Sequence, residues 1–249
     1  MNSLNCELLK VVKCPSCSQY MKAPIYVCVK GHSICDSCWD IASCPICKLG
    51  MSDTRNFSLE SVCSVLQYPC SNEMRGCSHY MKLEEFAEHQ ERCDYRNYRC
   101  MFEKYCCWQG TRDKLKKHYV DKHDNNVLIG STSMCLWKED QPDYTVHLLL
   151  AFDELFYVHK RLRDDVMHWA VQYIGRPEDV ILYYFEIQIF TDQFNDRKLE
   201  FSEICHDDIM ENIDDIIDTG FCVSVRMPIL QTYINNEGVV FYKIEIKRA

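Results

Sequence analysis

Closely spaced cysteines and histidines are the residues of this 249-residue chain whose types and spacing indicate metal binding. Zinc takes four nitrogen or sulfur ligands tetrahedrally, and a two-residue gap lets both thiolates of one turn reach the same ion. Each pair of closely spaced ligands, with a gap of two or three residues, supplies half of a zinc site, and whether neighbouring or alternate pairs combine stays open at this point. Four pairs come first: Cys14 with Cys17, Cys28 with His32, Cys35 with Cys38, and Cys44 with Cys47.

Two clusters with longer gaps follow this first array. They read Cys70-x6-Cys77-x11-His89-x3-Cys93 and Cys100-x5-Cys106-x11-His118-x4-His123. The long gap of each contains a helix-like stretch that carries a histidine on its apolar face. A turn-borne cysteine pair with a helix-borne histidine is a zinc-finger arrangement, so the sequence predicts two tandem fingers and four structural Zn²⁺ ions in all.

The second finger leaves a choice of ligand because Cys106 and Cys107 are adjacent. Cys106 is favoured, since it gives the same eleven-residue gap to its histidine as the second cysteine of the first finger gives to His89. His79 would duplicate a ligand and is interpreted as a surface residue. The remaining cysteines of this region are expected to be free thiols with packing roles: Cys6, Cys63 and Cys107.

Cysteine usage and hydropathy restrict the cellular compartment in which the protein is expected. Fifteen of the 18 cysteines lie in the first 107 residues, which predicts two differently built regions with a border near residues 124–126. Paired cysteines in a reducing compartment more often hold metal than form disulfides. No stretch approaches the ~20 apolar residues of a membrane span, and the first twelve residues do not resemble a signal peptide. We expect a protein of the cytoplasm, the nucleus or both, without a membrane span.

The net charge of each half of the chain argues against nucleic-acid binding. Residues 1–123 carry 17 Lys/Arg and 14 Asp/Glu, whereas residues 124–249 carry 11 and 23. Twelve zinc-bound thiolates contribute −12 and four ions +8, which takes the first half from +3 to −1. Neither half then has the positive field that binds phosphates, so nucleic acid is not an expected partner.

The second half is patterned as strands. β-branched and aromatic residues predominate in segments that are separated by turn residues such as Gly175-Arg176-Pro177. Phe185, Ile187 and Ile189 alternate with polar residues, as in a sheet with one face in solvent. An antiparallel β-sandwich is therefore predicted. Its strands are predicted at 144–152, 155–161, 166–174, 180–190, 198–201, 220–225 and 239–246.

One amphipathic helix is predicted between these strands, within residues 207–218. Its isoleucines recur at helical spacing among acidic residues: Ile209, Ile213, Ile216 and Ile217. Sequence patterns of a catalytic triad, a carboxylate pair or a phosphate-binding glycine loop do not stand out in this half. A binding role is therefore favoured over a catalytic one.

The order of seven cysteines and one histidine in the first array resembles the RING finger. That resemblance implies interleaved sites, in which alternate pairs share an ion. It also implies that both ions are structural, because closed four-ligand sites leave no position for a substrate or a water. The implied ligand sets are Cys14, Cys17, Cys35 and Cys38 for one ion, and Cys28, His32, Cys44 and Cys47 for the other.

In RING domains the loops around the two ions form a shallow apolar groove for an E2 enzyme. The matching positions here are Pro45 and Ile46, with Lys48 as the basic residue that contacts ubiquitin. Ser16 stands where active members carry Ile, Val or Leu, and losing one apolar anchor costs on the order of 1 kcal/mol or more. Trp39 is a further candidate aromatic contact beside the groove.

The whole N-terminal half resembles the seven-in-absentia (Siah) family of E3 ubiquitin ligases. Cys106-Cys107-Trp108-Gln109-Gly110 matches that family's motif, and residues 55–66 resemble its linking segment before Tyr68-Pro69-Cys70. Val171-Gln172-Tyr173-Ile174-Gly175 and Asn235-Asn236-Glu237-Gly238 resemble its substrate-binding domain, a TRAF-like sandwich that also forms homodimers. The implied domains are a RING finger at 14–48, a helical linker at 49–67, tandem fingers at 68–124 and a TRAF-like sandwich at 125–249.

The resemblance implies an E3 ubiquitin ligase that uses no covalent intermediate. Its RING recruits an E2~ubiquitin conjugate and its sandwich binds protein substrates or degron peptides, which leads to proteasomal degradation. Catalytic side chains are not expected, because the E2 cysteine supplies the chemistry and the ligase supplies positioning. The alternative, motivated by Ser16, is a ligase-inactive adaptor of the same architecture that binds substrates only.

Overall fold

A computed structural model of the chain describes residues 3–102, 104–191, 197–209 and 213–249, without the side chains of residues 3, 4 and 6. The prediction of a free thiol at Cys6 therefore lies outside the described residues. The chain divides by its internal contacts into two units, Met1–Cys93 and Asp94–Ala249. Among the described residues, no helix is both long enough and apolar enough to cross a membrane.

The first unit contains short elements around the first array and the first finger. Its strands β1 and β2 form a hairpin, and β3 pairs with the other side of β1. The strands are β1 (Ile25–Cys28), β2 (Ser33–Cys35), β3 (Met51–Arg55), β4 (Tyr68–Pro69) and β5 (Tyr80–Met81). The helices are α1 (Ser3–Val11), α2 (Asp36–Trp39), α3 (Phe57–Val65) and α4 (Phe86–Arg92), with a 3₁₀ turn at Glu73–Arg75.

The core of this unit is small and includes metal-ligand candidates. Val12, Met21, Ile25 and Ile34 are fully buried, together with Tyr68 at the entry to the first finger. The side chain of Asn56 caps α3 by accepting the Leu59 N–H at 3.0 Å. Cysteines complete the same cluster, so the metal sites and the apolar core occupy one volume: Cys14, Cys28, Cys35 and Cys44.

The second unit begins with the second finger. Strands β6 (Tyr98–Arg99) and β7 (Gln109–Gly110) pair, and helix α5 (Arg112–Lys122) follows, with a 3₁₀ turn at Asp124–Asn126. The strands of the sandwich come next: β8 (Val127–Ile129), β9 (Thr132–Lys138), β10 (Tyr144–Ala151), β11 (Glu154–Arg163), β12 (Val166–Ile174), β13 (Tyr183–Phe190), β14 (Lys198–Ile204), β15 (His206–Asp207), β16 (Val223–Arg226) and β17 (Val239–Arg248). A 3₁₀ helix at Pro177–Leu182 and helices α6 (Ile213–Thr219) and α7 (Met227–Gln231) connect them.

Two mainly antiparallel sheets pack face to face and confirm the predicted sandwich. One sheet has the strand order β15-β12-β11-β10-β8, with β16 also paired to β12. The other has the order β14-β13-β17-β9. Phe185, Ile187 and Ile189 point into the core between the sheets, where Phe156 and Trp169 of the facing sheet are also buried.

The structure corrects the predicted strands at one edge. Strands β8 and β9 lie before the first segment that the sequence predicted, and β9 forms the edge of the second sheet. The segment predicted from residue 180 begins as a 3₁₀ helix, and its strand starts at Tyr183. The predicted helix at 207–218 is described from Ile213 onward, where Ile213, Ile216 and Ile217 are buried. Residues 210–212 of that prediction lie outside the described residues.

Both faces of the first sheet are covered. Its inner face meets the second sheet, and its outer face packs against the second finger and α6. Leu115 and Tyr119 of α5 join Leu148, Tyr157 and Ile174 of the sheet in one buried cluster. The second finger is therefore part of the apolar core of the second unit.

A buried hydrogen-bond chain runs through this sheet. The Nε2 of His159 lies 2.8 Å from Oε1 of Gln172, and its Nδ1 lies 3.0 Å from the hydroxyl of Tyr144. The side chain of Gln172 in turn donates to the carbonyl of Asp207 at 3.1 Å. Because Oε1 of Gln172 can only accept, His159 donates from Nε2 and accepts from Tyr144, which suits a neutral ring. Burial lowers the pKa of His159 to about 4.

Replacing His159 with Gln is expected to make stability less sensitive to pH. Below pH 6.5 this histidine is protonated in the unfolded chain, whereas the buried His159 of the folded protein stays neutral down to about pH 4. The free energy of unfolding therefore decreases as the pH falls from about 6.5 toward about 4. Between pH 7.5 and 5.5 the wild type should lose about 1 kcal/mol more than the variant. Denaturant unfolding of both proteins at the two pH values measures the difference, and zinc loss affects both alike. An equal loss in the two proteins would contradict the expected coupling.

Candidate metal centres

The structure brings together the sixteen predicted ligands in four groups. Within each group the ligand atoms all lie within 4.8 Å of one another. The two groups of the first array combine alternate pairs, which is the interleaved arrangement. The groups are Cys14, Cys17, Cys35 and Cys38; Cys28, His32, Cys44 and Cys47; Cys70, Cys77, His89 and Cys93; and Cys100, Cys106, His118 and His123.

The sulfur–sulfur distances match a tetrahedral zinc site. With Zn–S bonds near 2.3 Å, two thiolates on one tetrahedral ion lie about 3.8 Å apart. Three pairs that come from different turns lie 3.7 Å apart: Cys17 with Cys35, Cys28 with Cys47, and Cys70 with Cys93. Unbound thiolates would repel one another at this spacing, whereas an ion at the centre neutralises them.

The sulfur–nitrogen distances agree as well. A thiolate and an imidazole on one tetrahedral ion lie about 3.6 Å apart. Nε2 of His89 lies 3.5 Å from Sγ of Cys77, and Nε2 of His118 lies 3.5 Å from Sγ of Cys106. His32 uses Nδ1 instead, which lies 3.4 Å from Sγ of Cys28. The donor atoms therefore fit zinc, and the resulting four-ligand sites are structural.

Local electrostatics favour the metal-binding form at some ligands and oppose it at others: burial raises the pKa of Cys77 to about 12 and that of Cys100 to about 11, so these thiolates depend on the ion itself. Burial opposes ionisation of Cys28, but hydrogen bonds from the main-chain N–H groups of His32 and Lys30 and from the side chains of Cys47 and His32 together lower the pKa of Cys28 to about 6. Burial also lowers the pKa of His118 and of His123, which keeps both rings neutral. Thiolate sulfur and neutral imidazole nitrogen are the forms that bind zinc.

Two of the three Cys-x-x-Cys segments of the first array, which begin at Cys14 and Cys44, have the same pattern of main-chain hydrogen bonds. In the first, the Cys14 N–H donates to the carbonyl of Gln19 and the Ser18 N–H donates to the carbonyl of Cys14, both at 2.8 Å. In the second loop the Cys44 N–H bonds the carbonyl of Leu49 and the Lys48 N–H bonds that of Cys44, at 2.7 and 2.8 Å. Ser18 and Lys48 occupy the left-handed region with φ near 60°.

These loops present the predicted docking residues. Ile46 is 55% exposed although it is a large apolar side chain, and Pro45 beside it is half-buried. Ser16 and Lys48 are exposed. Trp39 is half-buried and stacks on Tyr26 with ring centroids 4.8 Å apart. Whether these residues contact an E2 or ubiquitin stays a prediction at this point.

In the second finger Trp108 holds a ligand ring in place. Its indole stacks on His118 with centroids 4.4 Å apart and an angle of 3° between the planes. Gly110 makes room for the indole, because a Cβ at that position would lie 2.6 Å from Trp108. The Trp-Gln-Gly sequence thus orients a zinc ligand through packing.

Arg112 at the start of α5 fixes this finger to the sandwich. Its Nε–H donates to the carbonyl of Ile174 at 2.7 Å, and its guanidinium forms an ion pair with Glu154. The hydroxyl of Tyr173 donates to the same carboxylate at 3.1 Å. These polar contacts border the shared apolar cluster and orient α5, which carries His118.

Some of the other predictions can be followed in the structure. Cys106 joins the fourth group, whereas Cys107 is exposed, and Cys63 is buried. His79 is exposed as expected, but its Nδ1 lies 3.6 Å from Sγ of Cys77. The sequence interpretation missed this proximity. The signal for it is that His79 follows the second cysteine of its finger by two residues, as Trp108 does in the other finger.

Three family descriptions match the chain in order. The description "E3 ubiquitin-protein ligase sina/sinah, RING finger" matches residues 14–47, "Sina, zinc finger" matches residues 61–141, and "Sina, TRAF-like domain" matches residues 149–245. Together with the four metal groups and the sandwich, these matches define a RING-type E3 ubiquitin ligase with an E2 and ubiquitin as partners.

The similar proteins are all named as E3 ubiquitin-protein ligases. The chain is 27% identical to the probable E3 ubiquitin-protein ligase sinah of Drosophila melanogaster, over 73% of this chain and 55% of that protein. It is 25% identical to the E3 ubiquitin-protein ligase sina of the same fly, over 94% of this chain and 76% of that protein. It is 33% identical to the E3 ubiquitin-protein ligase siah2 of Xenopus laevis, over 49% of this chain and 40% of that protein. The chain belongs to the seven-in-absentia (sina/Siah) family.

Replacing Cys106 or Cys107 with Ser is expected to distinguish a ligand from its neighbour. Elemental analysis of the folded wild type should give four zinc ions per chain. Cys106→Ser should reduce the content to three and lower the unfolding temperature of the sandwich, because α5 covers its outer face. Cys107→Ser is the matched control and should keep four ions. Loss of zinc in the control alone would reverse the assignment.

Proposed function

We propose that this ligase docks an E2~ubiquitin conjugate on the exposed second loop of its RING and positions it for a lysine of a protein held by the sandwich. The observation that carries the docking site is the exposure of Ile46 on a loop whose two ends, Cys44 and Cys47, belong to one metal-ligand group. An exposed apolar residue on a rigid loop is a suitable anchor for a partner. Proteasomal degradation of the modified protein is the proposed outcome.

The proposed docking face contains four residues around the loops. Pro45 and Ile46 supply apolar contact, and Trp39, whose ring stacks on that of Tyr26 at 4.8 Å, is the proposed aromatic contact beside the groove. Ser16 adds a polar hydroxyl where an apolar contact would strengthen binding. The proposed site is therefore competent but weaker than one with an apolar residue at that position.

Lys48 is the proposed contact to ubiquitin. It directly follows Cys47, is exposed, and its N–H is hydrogen-bonded to the carbonyl of Cys44 at 2.8 Å. Its left-handed φ of 60° fixes the direction in which the side chain leaves the loop. A cation that leaves the loop in this direction favours the closed arrangement of an E2~ubiquitin conjugate, and the chain contributes positioning while the E2 contributes the reactive cysteine.

The sandwich is the proposed substrate-binding part, in the cytoplasm or the nucleus. Its second sheet ends in edge strands β9 and β14, and an extended peptide can add to such an edge through main-chain hydrogen bonds. We propose that two copies associate through this domain. A dimer presents two RING domains and two substrate sites, which raises the effective concentration of the E2 at a bound target.

Ile46→Ala is expected to suppress E2-dependent ubiquitin chain formation. Truncating a central apolar anchor of a small interface costs about 1.4 kcal/mol or more, which reduces the rate at least about tenfold. The assay combines purified protein with E1, ubiquitin, ATP and a panel of E2 enzymes. Ile229→Ala on the sandwich is the matched control, because this isoleucine is similarly exposed at 47%. Wild-type protein that is folded and zinc-loaded but inactive with every E2 would favour the adaptor alternative.

Ser16→Ile is expected to strengthen E2 binding. The added apolar contact is worth about 1 kcal/mol, which corresponds to a roughly fivefold lower Kd. Isothermal titration of an E2 into the zinc-loaded wild type and variant measures the change. Ser18→Ile is not a suitable comparison, because Ser18 has a left-handed φ of 61°, so Ser16→Ala serves as the control. An unchanged Kd in Ser16→Ile would place Ser16 outside the interface.

A further inference from the structure

The two zinc fingers place one residue in the same main-chain position. The Cys70 N–H donates to the carbonyl of His79 at 3.0 Å, and the Cys100 N–H donates to the carbonyl of Trp108 at 3.1 Å. His79 and Trp108 each follow the second cysteine of their finger by two residues. Short strand pairs bracket both positions, β4 with β5 and β6 with β7. The positions are therefore equivalent in the repeat.

Both side chains at this position lie against the helix-borne ligand histidine. Trp108 stacks on His118 at 4.4 Å, and the ring of His79 lies 5.2 Å from the ring of His89. The chemistry differs, because an indole offers only an N–H donor while an imidazole offers a metal-binding nitrogen. The first finger thus has a potential ligand where the second finger has a packing residue.

His79 is as near to the shared thiolate as the predicted ligand is. Nδ1 of His79 lies 3.6 Å from Sγ of Cys77, and Nε2 of His89 lies 3.5 Å from the same sulfur. Both values match the distance of about 3.6 Å for a thiolate and an imidazole on one tetrahedral zinc. The compact four-ligand group contains His89 and not His79, so a four-coordinate ion uses His89 first.

We infer that His79 is a reserve zinc ligand of the first finger, which binds the ion when His89 leaves it. One neutral imidazole replaces another, so the charge of the site does not change, and the three thiolates stay in place. Because His79 is exposed and lies on a loop, its ring can turn without disturbing a packed core. His89 instead lies on α4, so opening of this short helix would otherwise remove one ligand.

The test compares His89→Ala with His79→Ala/His89→Ala in the full-length chain. Zinc content is measured by elemental analysis after gel filtration, and zinc release is followed with a chromogenic chelator. His89→Ala should keep four ions, whereas the double variant should hold three or release the fourth at least about tenfold faster. Cobalt substitution adds a spectroscopic readout: His89→Ala should keep the intense visible bands of a tetrahedral site, and the double variant should lose them at one site.

The second finger provides the matched control. His118→Ala is made in the Cys107→Ser background, which removes the neighbouring thiol, and Trp108 offers no replacement nitrogen. This control should hold three ions, which shows that loss of a helix-borne histidine is detectable. His79→Ala alone should keep four ions, because His89 remains. Equal zinc content and equal release rates in His89→Ala and the double variant would overturn the inference, whether both keep the ion or both lose it.

Discussion

Tetrahedral coordination of zinc is the constraint on which the N-terminal unit depends. Its apolar core consists of few residues, and the buried cysteines of the first array belong to the same cluster. Small domains rarely gain enough from hydrophobic burial alone and are stabilised by disulfides or metals. Here the thiolates lie 3.7 Å apart across turns that are distant in the chain, so charge neutralisation by the ion is a condition of the fold. The proposed docking loop, which carries Ile46 between the ligands Cys44 and Cys47, depends on the same constraint.

The zinc ligands were predictable because the information is local. Each finger contributes its four ligands from a stretch of about 24 residues, and gaps such as that from Cys106 to His118 restrict which atoms can meet. The alternation of Phe185, Ile187 and Ile189 is equally local, and the structure confirms the sandwich that it predicted. The spacing alone left the pairing of the first array open, and only the resemblance to a RING finger favoured the interleaved arrangement.

Features that depend on distant partners were missed. Strand β9 buries Ser133 and Trp137 while exposing Met134 and Leu136, so two of its apolar residues lie on the solvent face and blur the alternation that identifies a strand. Both faces of the first sheet are also covered, the inner face by the second sheet and the outer face by the second finger and α6. Nothing in the alternation of β11 or β12 distinguishes burial by a zinc finger from burial by a second sheet. The position of His79 was missed for a related reason, since it depends on the repeat frame and not on ligand spacing.

The sharing of the Leu115 and Tyr119 cluster between α5 and the sandwich strands has a consequence for synthesis on the ribosome. The first unit ends at Cys93, so all of its own contacts exist once that residue has left the exit tunnel. The second finger must wait for β12, which ends at Ile174, before its apolar helix face and Arg112 find their partners. For some 50 residues of translation, this finger can bind its metal but cannot bury its helix. During this interval a nascent chain would expose that face to chaperones. The first finger has no comparable interval, because the contacts of its unit lie within residues 1–93.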